Sequence, residues 1–118
     1  MTRVSPHFQR REFACRCGCG FDTVDAQTLE ALERIRQHFN QPVTITSGCR
    51  CATHNASVGG ARNSQHTLGR AADIQVRNVA PHTVAAWVEA NLPRVSVGRY
   101  NTFTHVDTRS NGPARWQG

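Results

Sequence analysis

The chain has 118 residues, of which 38% are hydrophobic, enough for one core in a single domain spanning 1–118. No apolar run nears the ~20 residues that a membrane-crossing helix needs, and Met1–Cys15 lacks the apolar stretch of a secretory leader, so the chain is expected to be made in the cytoplasm and not to insert into a membrane. The net charge of +6 is carried by arginine alone, but the arginines are scattered from Arg3 to Arg115 with no dense run, which argues against a nucleic-acid partner.

In chain order, Asp25–Asn40 predicts a helix. Leu29, Leu32, Ile35 and Phe39 recur at spacings of three and four, Asp25 can cap the start, and Pro42 follows the end. Val43–Thr46 is β-branched and suits a buried strand that Ser47-Gly48 terminates. Residues 52–63 are small and polar and predict a loop, with a helical turn at Thr53–Ser57. Ala72–Val76 reads as a strand with Ile74 and Val76 on one face and Asp73 and Gln75 on the other. Pro81 opens a second helix, lined by Val84, Trp87 and Val88, and Pro93 closes it. Val95–Tyr100 and Phe103–Thr108 form a hairpin joined near Asn101-Thr102, and Ser110–Gly118 is a Gly/Pro-bearing tail. Helices flanking a small, mostly antiparallel sheet make an α+β domain.

The stretch with most chemistry is Ser64–Asp73, SQHTLGRAAD. His66 and Asp73 lie across a bend where Gly69 lets the backbone turn back. His105 and Asp107, two apart on a strand, share a face. Two imidazoles and two carboxylates suffice for three zinc ligands and one general base. With eight acids in the chain, few other residues can serve as that base. On spacing alone, a surface histidine, a loop-closing Asp73 and a half-buried His105 account for the same residues.

SQHTLGRAAD matches the S-x-H-x-x-G-x-A-x-D pattern of the zinc D-alanyl-D-alanine carboxypeptidases and the related L-alanyl-D-glutamate endopeptidases, which share the fold of the hedgehog signalling domain. VTITSGCRCATHN, Gly59-Gly60 and GRYNTFTHVDTR also resemble that family, so the likeness runs from about Phe8 to Trp116, and it is nearest to the short phage and prophage forms. The resemblance implies His66, Asp73 and His105 as zinc ligands, and Arg50 as oxyanion stabiliser or substrate anchor. It also implies a carboxylate base. In several relatives that acid stands three residues before the third ligand, where this chain has Thr102, so Asp107 takes the base role or, failing that, orients His105. The inverse, with Asp107 as ligand and His105 assisting, stays open. Ser64 either contacts substrate or caps a turn.

The implied activity is a zinc metallopeptidase acting on peptidoglycan stem peptides or cross-links, as an endolysin-type enzyme that reaches the wall after release; nothing in the sequence sets the oligomeric state, and a monomer is the default expectation. The alternative is a non-catalytic cell-wall binding module of the same fold. The five cysteines, Cys15, Cys17, Cys19, Cys49 and Cys51, allow disulfides, a second structural zinc on four thiolates, or free thiols, and any pairing scheme leaves one over.

Overall fold

The computed structural model describes residues 3–61 and 64–118. Residues 1 and 2, at the head of the stretch read for a leader, and residues 62 and 63, which close the loop expected over 52–63, lie outside it.

A short antiparallel pair, β1 (Arg3–Ser5) and β2 (Phe8–Gln9), opens the chain and leads into a 3-10 turn at Arg10–Phe13. The first helix, α1, spans Ala26–Phe39. Asp25 caps it by accepting a hydrogen bond from the Gln27 amide at 3.1 Å, and Asn40 ends it in the left-handed conformation at φ 51°. Then follow β3 (Val43–Ser47), the short helix α2 (Ala52–Ser57), a 3-10 turn at Gln65–Leu68, and β4 (Ala71–Val76). Helix α3 (Pro81–Asn91) starts on the proline, whose missing N–H costs nothing at a first turn. The hairpin is β5 (Ser96–Arg99) and β6 (Thr104–Asp107), and β7 (Arg115–Gln117) completes the chain's elements.

The main sheet has the order β3-β4-β6-β5-β7, antiparallel throughout except for β7, which pairs parallel with β5. The Gly/Pro-bearing tail therefore contributes an edge strand. Its three residues, next to Gly112 and Pro113, are too few for a periodic signal.

Alternation divides the sheet into two faces. Ala72, Ile74, Val76, Val97 and Val106 pack with Leu32 and Ile35 of α1 and Val84 and Val88 of α3 in one apolar core, together with Phe8 and Phe13 from the N-terminal segment. Burying side chains such as Leu32 and Ile35 contributes roughly 1.5–3 kcal/mol each. The other face carries Asp73, His105 and Asp107. The register places Asp73 directly opposite His105, and His105 opposite Gly98. The helix-covered face thus stabilises the sheet, and the opposite face holds the polar cluster.

Candidate metal centre

His66 reaches the cluster from the 3-10 turn before β4. Ser64 caps that turn, its Oγ accepting from the His66 amide at 3.2 Å. Gly69 closes it at φ 70°, and a Cβ there would stand 2.8 Å from the Thr23 carbonyl oxygen, so conformation and space both demand glycine. The turn is fastened on two sides. The Arg50 amide donates to the His66 carbonyl at 2.9 Å, and the Asp25 amide at the start of α1 donates to the Gly69 carbonyl at 2.7 Å.

The geometry assigns the imidazole tautomers. His66 Nδ1 lies 2.6 Å from the Gly48 carbonyl oxygen, which can only accept, so Nδ1 carries the proton and Nε2 faces the cluster. His105 Nε2 lies 2.8 Å from Asp107 Oδ2, and Arg109 keeps that carboxylate ionised, so Nε2 donates and Nδ1 faces inward. Asp73 Oδ1 then sits 3.2 Å from His66 Nε2 and 2.9 Å from His105 Nδ1. An anionic oxygen facing two nitrogen lone pairs is repulsive unless a cation, whether proton or metal, sits among them.

The donor set fits zinc. Two imidazoles and one carboxylate, each imidazole anchored through its outer nitrogen, form a three-ligand set with its outer hydrogen bonds in place. The ligand atoms of His66, Asp73 and His105 all lie within 4.8 Å of one another. A tetrahedron with metal–ligand bonds of about 2.0–2.1 Å has edges of about 3.3 Å, close to the spacings at Asp73 Oδ1.

Asp107 stands behind His105 and has no solvent exposure. Its Oδ1 accepts from the Arg109 amide at 3.1 Å and from Arg109 Nε at 2.9 Å, and Oδ2 accepts from Arg109 Nη2 at 2.7 Å as well as from His105. Of the roles expected for Asp107, this arrangement supports orienting His105: every oxygen is engaged and none points into the cluster. Burial by itself would raise the Asp107 pKa, but hydrogen bonds from Arg109 and His105 outweigh it and hold the carboxyl below the ordinary carboxylate range. Asp73 is likewise raised by burial and lowered more strongly by His105 and His66. Burial would lower His105, yet Asp107 and Asp73 raise it above its ordinary value.

Arg50 is brought into the site. Its Nη2 donates to Asp73 Oδ2 at 3.3 Å, Nε to Ser47 Oγ at 3.1 Å and Nη1 to Asn55 Oδ1 at 3.2 Å. Asn55 is buried and donates in turn to the Ala61 carbonyl at 2.7 Å. A Cβ on Gly60 would fall 2.1 Å from Asn55 Oδ1, which explains the second glycine of the pair.

Two supporting residues, Asn55 and Arg109, carry no motif of their own in the sequence, and Trp116, whose position in the tail suits either core packing or the lining of a substrate groove, is a neighbour of the site. The Trp116 ring lies 5.0 Å from that of His105, and the Arg109 guanidinium sits 5.3 Å from its centroid. Gly98 makes this approach feasible, since a Cβ there would lie 2.6 Å from the indole. Arg109 lies two residues past the end of β6, where strand alternation no longer applies, so periodicity gives no signal for it.

The sequence profile of the peptidase M15 family matches residues 6–107. The chain belongs to the peptidase M15 family. This M15 domain is 49% identical over 48 residues to the zinc D-Ala-D-Ala carboxypeptidase of Streptomyces albus G. The matched stretch is 40% of this chain and 19% of that longer protein.

Proposed function

We propose that this chain is a zinc metallopeptidase that hydrolyses peptide bonds in the stem peptides or cross-links of bacterial peptidoglycan. The observation that carries the proposal is the convergence of His66 Nε2, Asp73 Oδ1 and His105 Nδ1, with both outer imidazole nitrogens already engaged. Membership of the M15 family and the name of the Streptomyces protein support zinc as the metal and D-alanyl peptides as substrates.

A zinc ion held by these three residues would polarise the scissile carbonyl and acidify a water molecule. The protein's own residues do the rest. Asp107 fixes the His105 tautomer, and Arg109 holds Asp107 ionised. Arg50, its side chain 14% exposed, is held at the edge of the site by Ser47, Asn55 and Asp73. From there its guanidinium is positioned to meet a substrate carboxylate or a developing oxyanion by paired hydrogen bonds. Ser64 supports the site by capping the turn that carries His66.

The test is incubation of zinc-loaded protein with muropeptides ending in D-Ala-D-Ala and with muropeptides containing L-Ala-D-Glu, followed by mass spectrometry of the products. Release of D-alanine or cleavage after L-alanine, abolished by His66→Ala, is the expected result. A phage or prophage lysis role, implied by the resemblance to short forms of the family, predicts clearing of outer-membrane-permeabilised cells by the added protein.

A second reading, a wall-binding module without turnover, is favoured by one observation. Thr102 stands where several relatives carry an acid, and both Asp107 oxygens are engaged, so among the described residues no free carboxylate adjoins the cluster. Muropeptide binding with no cleavage by the zinc-loaded wild type would replace the peptidase proposal with this one.

A further inference from the structure

Cysteine is the residue type that the site above does not use. The structure sorts the five into four and one. Cys49 is buried, its thiol donates to the Phe21 carbonyl at 2.9 Å, and it is not part of the cluster that the others form. The sulfurs of Cys15, Cys17, Cys19 and Cys51 all lie within 4.8 Å of one another. This division accounts for the odd count.

We propose that Cys15, Cys17, Cys19 and Cys51 bind a structural zinc ion, separate from the His66–Asp73–His105 centre, that clamps the N-terminal loop to the segment carrying Arg50. The spacing carries the assignment. Cys15 and Cys17 sulfurs are 3.4 Å apart, Cys17 and Cys51 3.6 Å, and Cys15 and Cys51 3.8 Å. Four thiolates around zinc at about 2.3 Å define a tetrahedron with edges of about 3.8 Å. A disulfide would single out one pair at about 2.05 Å, whereas these three sulfurs are nearly equidistant and a fourth stands beside them.

Apolar burial does not explain the cluster, because Cys17 and Cys19 are exposed. The backbone is shaped around it instead. In an extended strand, alternate cysteines would be about 7 Å apart along the chain. Here Gly18 and Gly20 adopt φ 82° and 92°, and the Gly18 amide closes a turn onto the Cys15 carbonyl at 3.2 Å. A Cβ at either glycine would meet nothing within 4 Å, so it is the left-handed conformation, not crowding, that calls for glycine. Two backbone amides point at sulfur: Cys51 N–H at Cys15 Sγ and His54 N–H at Cys51 Sγ, both at 3.4 Å. Such outer hydrogen bonds are those that support thiolate ligands.

The clamp has a structural purpose. Residues 14–25 contain no helix or strand, and Cys51 directly follows Arg50. A small domain gains most from a staple where its own elements give least.

The test uses the full chain, purified under reducing conditions without chelator. Zinc is counted by elemental mass spectrometry in wild type, in His66→Ala/His105→Ala and in Cys17→Ser/Cys19→Ser. Two zinc ions in wild type and one in each double variant are expected. X-ray absorption on the histidine variant should then show sulfur neighbours alone, at about 2.3 Å. That spectrum does not depend on the cysteine variant folding, which circular dichroism checks separately. A cysteine variant with wild-type zinc content, or nitrogen and oxygen neighbours in the histidine variant, would overturn the proposal. So would freshly reduced protein whose four cysteines pair as disulfides on air oxidation while zinc is offered. If the sulfur-bound ion is found but His66→Ala/His105→Ala loses no zinc, the clamp stands and the peptidase reading falls.

Discussion

Removing the Asp107 carboxylate separates an orienting role from a general-base role. Asp107→Ala takes away the acceptor for His105 Nε2–H and all three hydrogen bonds from Arg109. Loss of an outer partner of a metal-bound histidine lowers metal affinity by about 10–100-fold, or about 1.4–2.8 kcal/mol. Because Asp107 has no solvent exposure, the metal-free fold also loses a buried charge pair, at a cost of about 3–5 kcal/mol. For a domain of this size that lowers the melting temperature by roughly 10 °C or more. Asp107→Asn, which keeps an oxygen for His105, should fall between the two. Zinc affinity is read by titration against a competing chelator, and stability by melts with and without zinc. If Asp107→Ala keeps wild-type zinc affinity and melting temperature but no longer hydrolyses muropeptides, Asp107 acts on the reacting groups and the orienting account is wrong.

Three further outcomes follow from the same geometry. Asn55→Ala should release Arg50 and destabilise the fold by only about 0.5–1.5 kcal/mol for each lost hydrogen bond, since the Ala61 carbonyl still accepts from the Ser64 amide, and it should lower kcat/KM while zinc content stays unchanged; steady-state kinetics with elemental analysis checks this. Gly98→Val should push Trp116 off His105 at a cost of about 1–3 kcal/mol, seen as a change in tryptophan fluorescence and a lower melting temperature. The pH dependence has two parts. Burial would lower the pKa of His105 but its two carboxylate partners raise it, so in the metal-free chain protons compete with zinc above the ordinary histidine range, and zinc affinity should begin to fall at higher pH than for a free imidazole. Asp73 and Asp107 are held below the ordinary carboxylate range, so their contribution to stability is complete above a pH of about 4 and is lost as pH falls through their depressed pKa values. Melts and zinc titrations across pH check both.

Local chemistry made much of this legible in the sequence. Asp25, the three-four spacing and Pro42 marked α1 to within a residue at each end. The β-branched runs marked β3, β4 and the hairpin, and the alternation in Ala72–Val76 separated Asp73 from the core face. The ligand-bearing stretch was visible because Gly69 and the two flanking polar residues sit close in sequence. What stayed hidden depends on contacts distant in sequence. Arg50 meets Asp73 across 23 residues, and the indole of Trp116 reaches His105 through a parallel pairing that three residues cannot announce. Alternation in C-x-C-x-C and C-x-C gave no means of setting Cys49 apart, since its burial against Phe21 is a tertiary fact.

The facing of Asp73 and His105 across two central strands makes the position of two of the ligands a property of the hydrogen-bonded ladder. A one-residue slip of either strand would turn its ligand to the core face and part the pair, so the register that keeps the sheet folded also keeps the centre assembled. The connection between β5 and β6 is under no such constraint. Exchanging it for that of another member of the family should therefore retune which peptide is accepted while the affinity for the ion is left intact, and the scaffold offers itself as a fixed centre on which specificity can be varied from the rim.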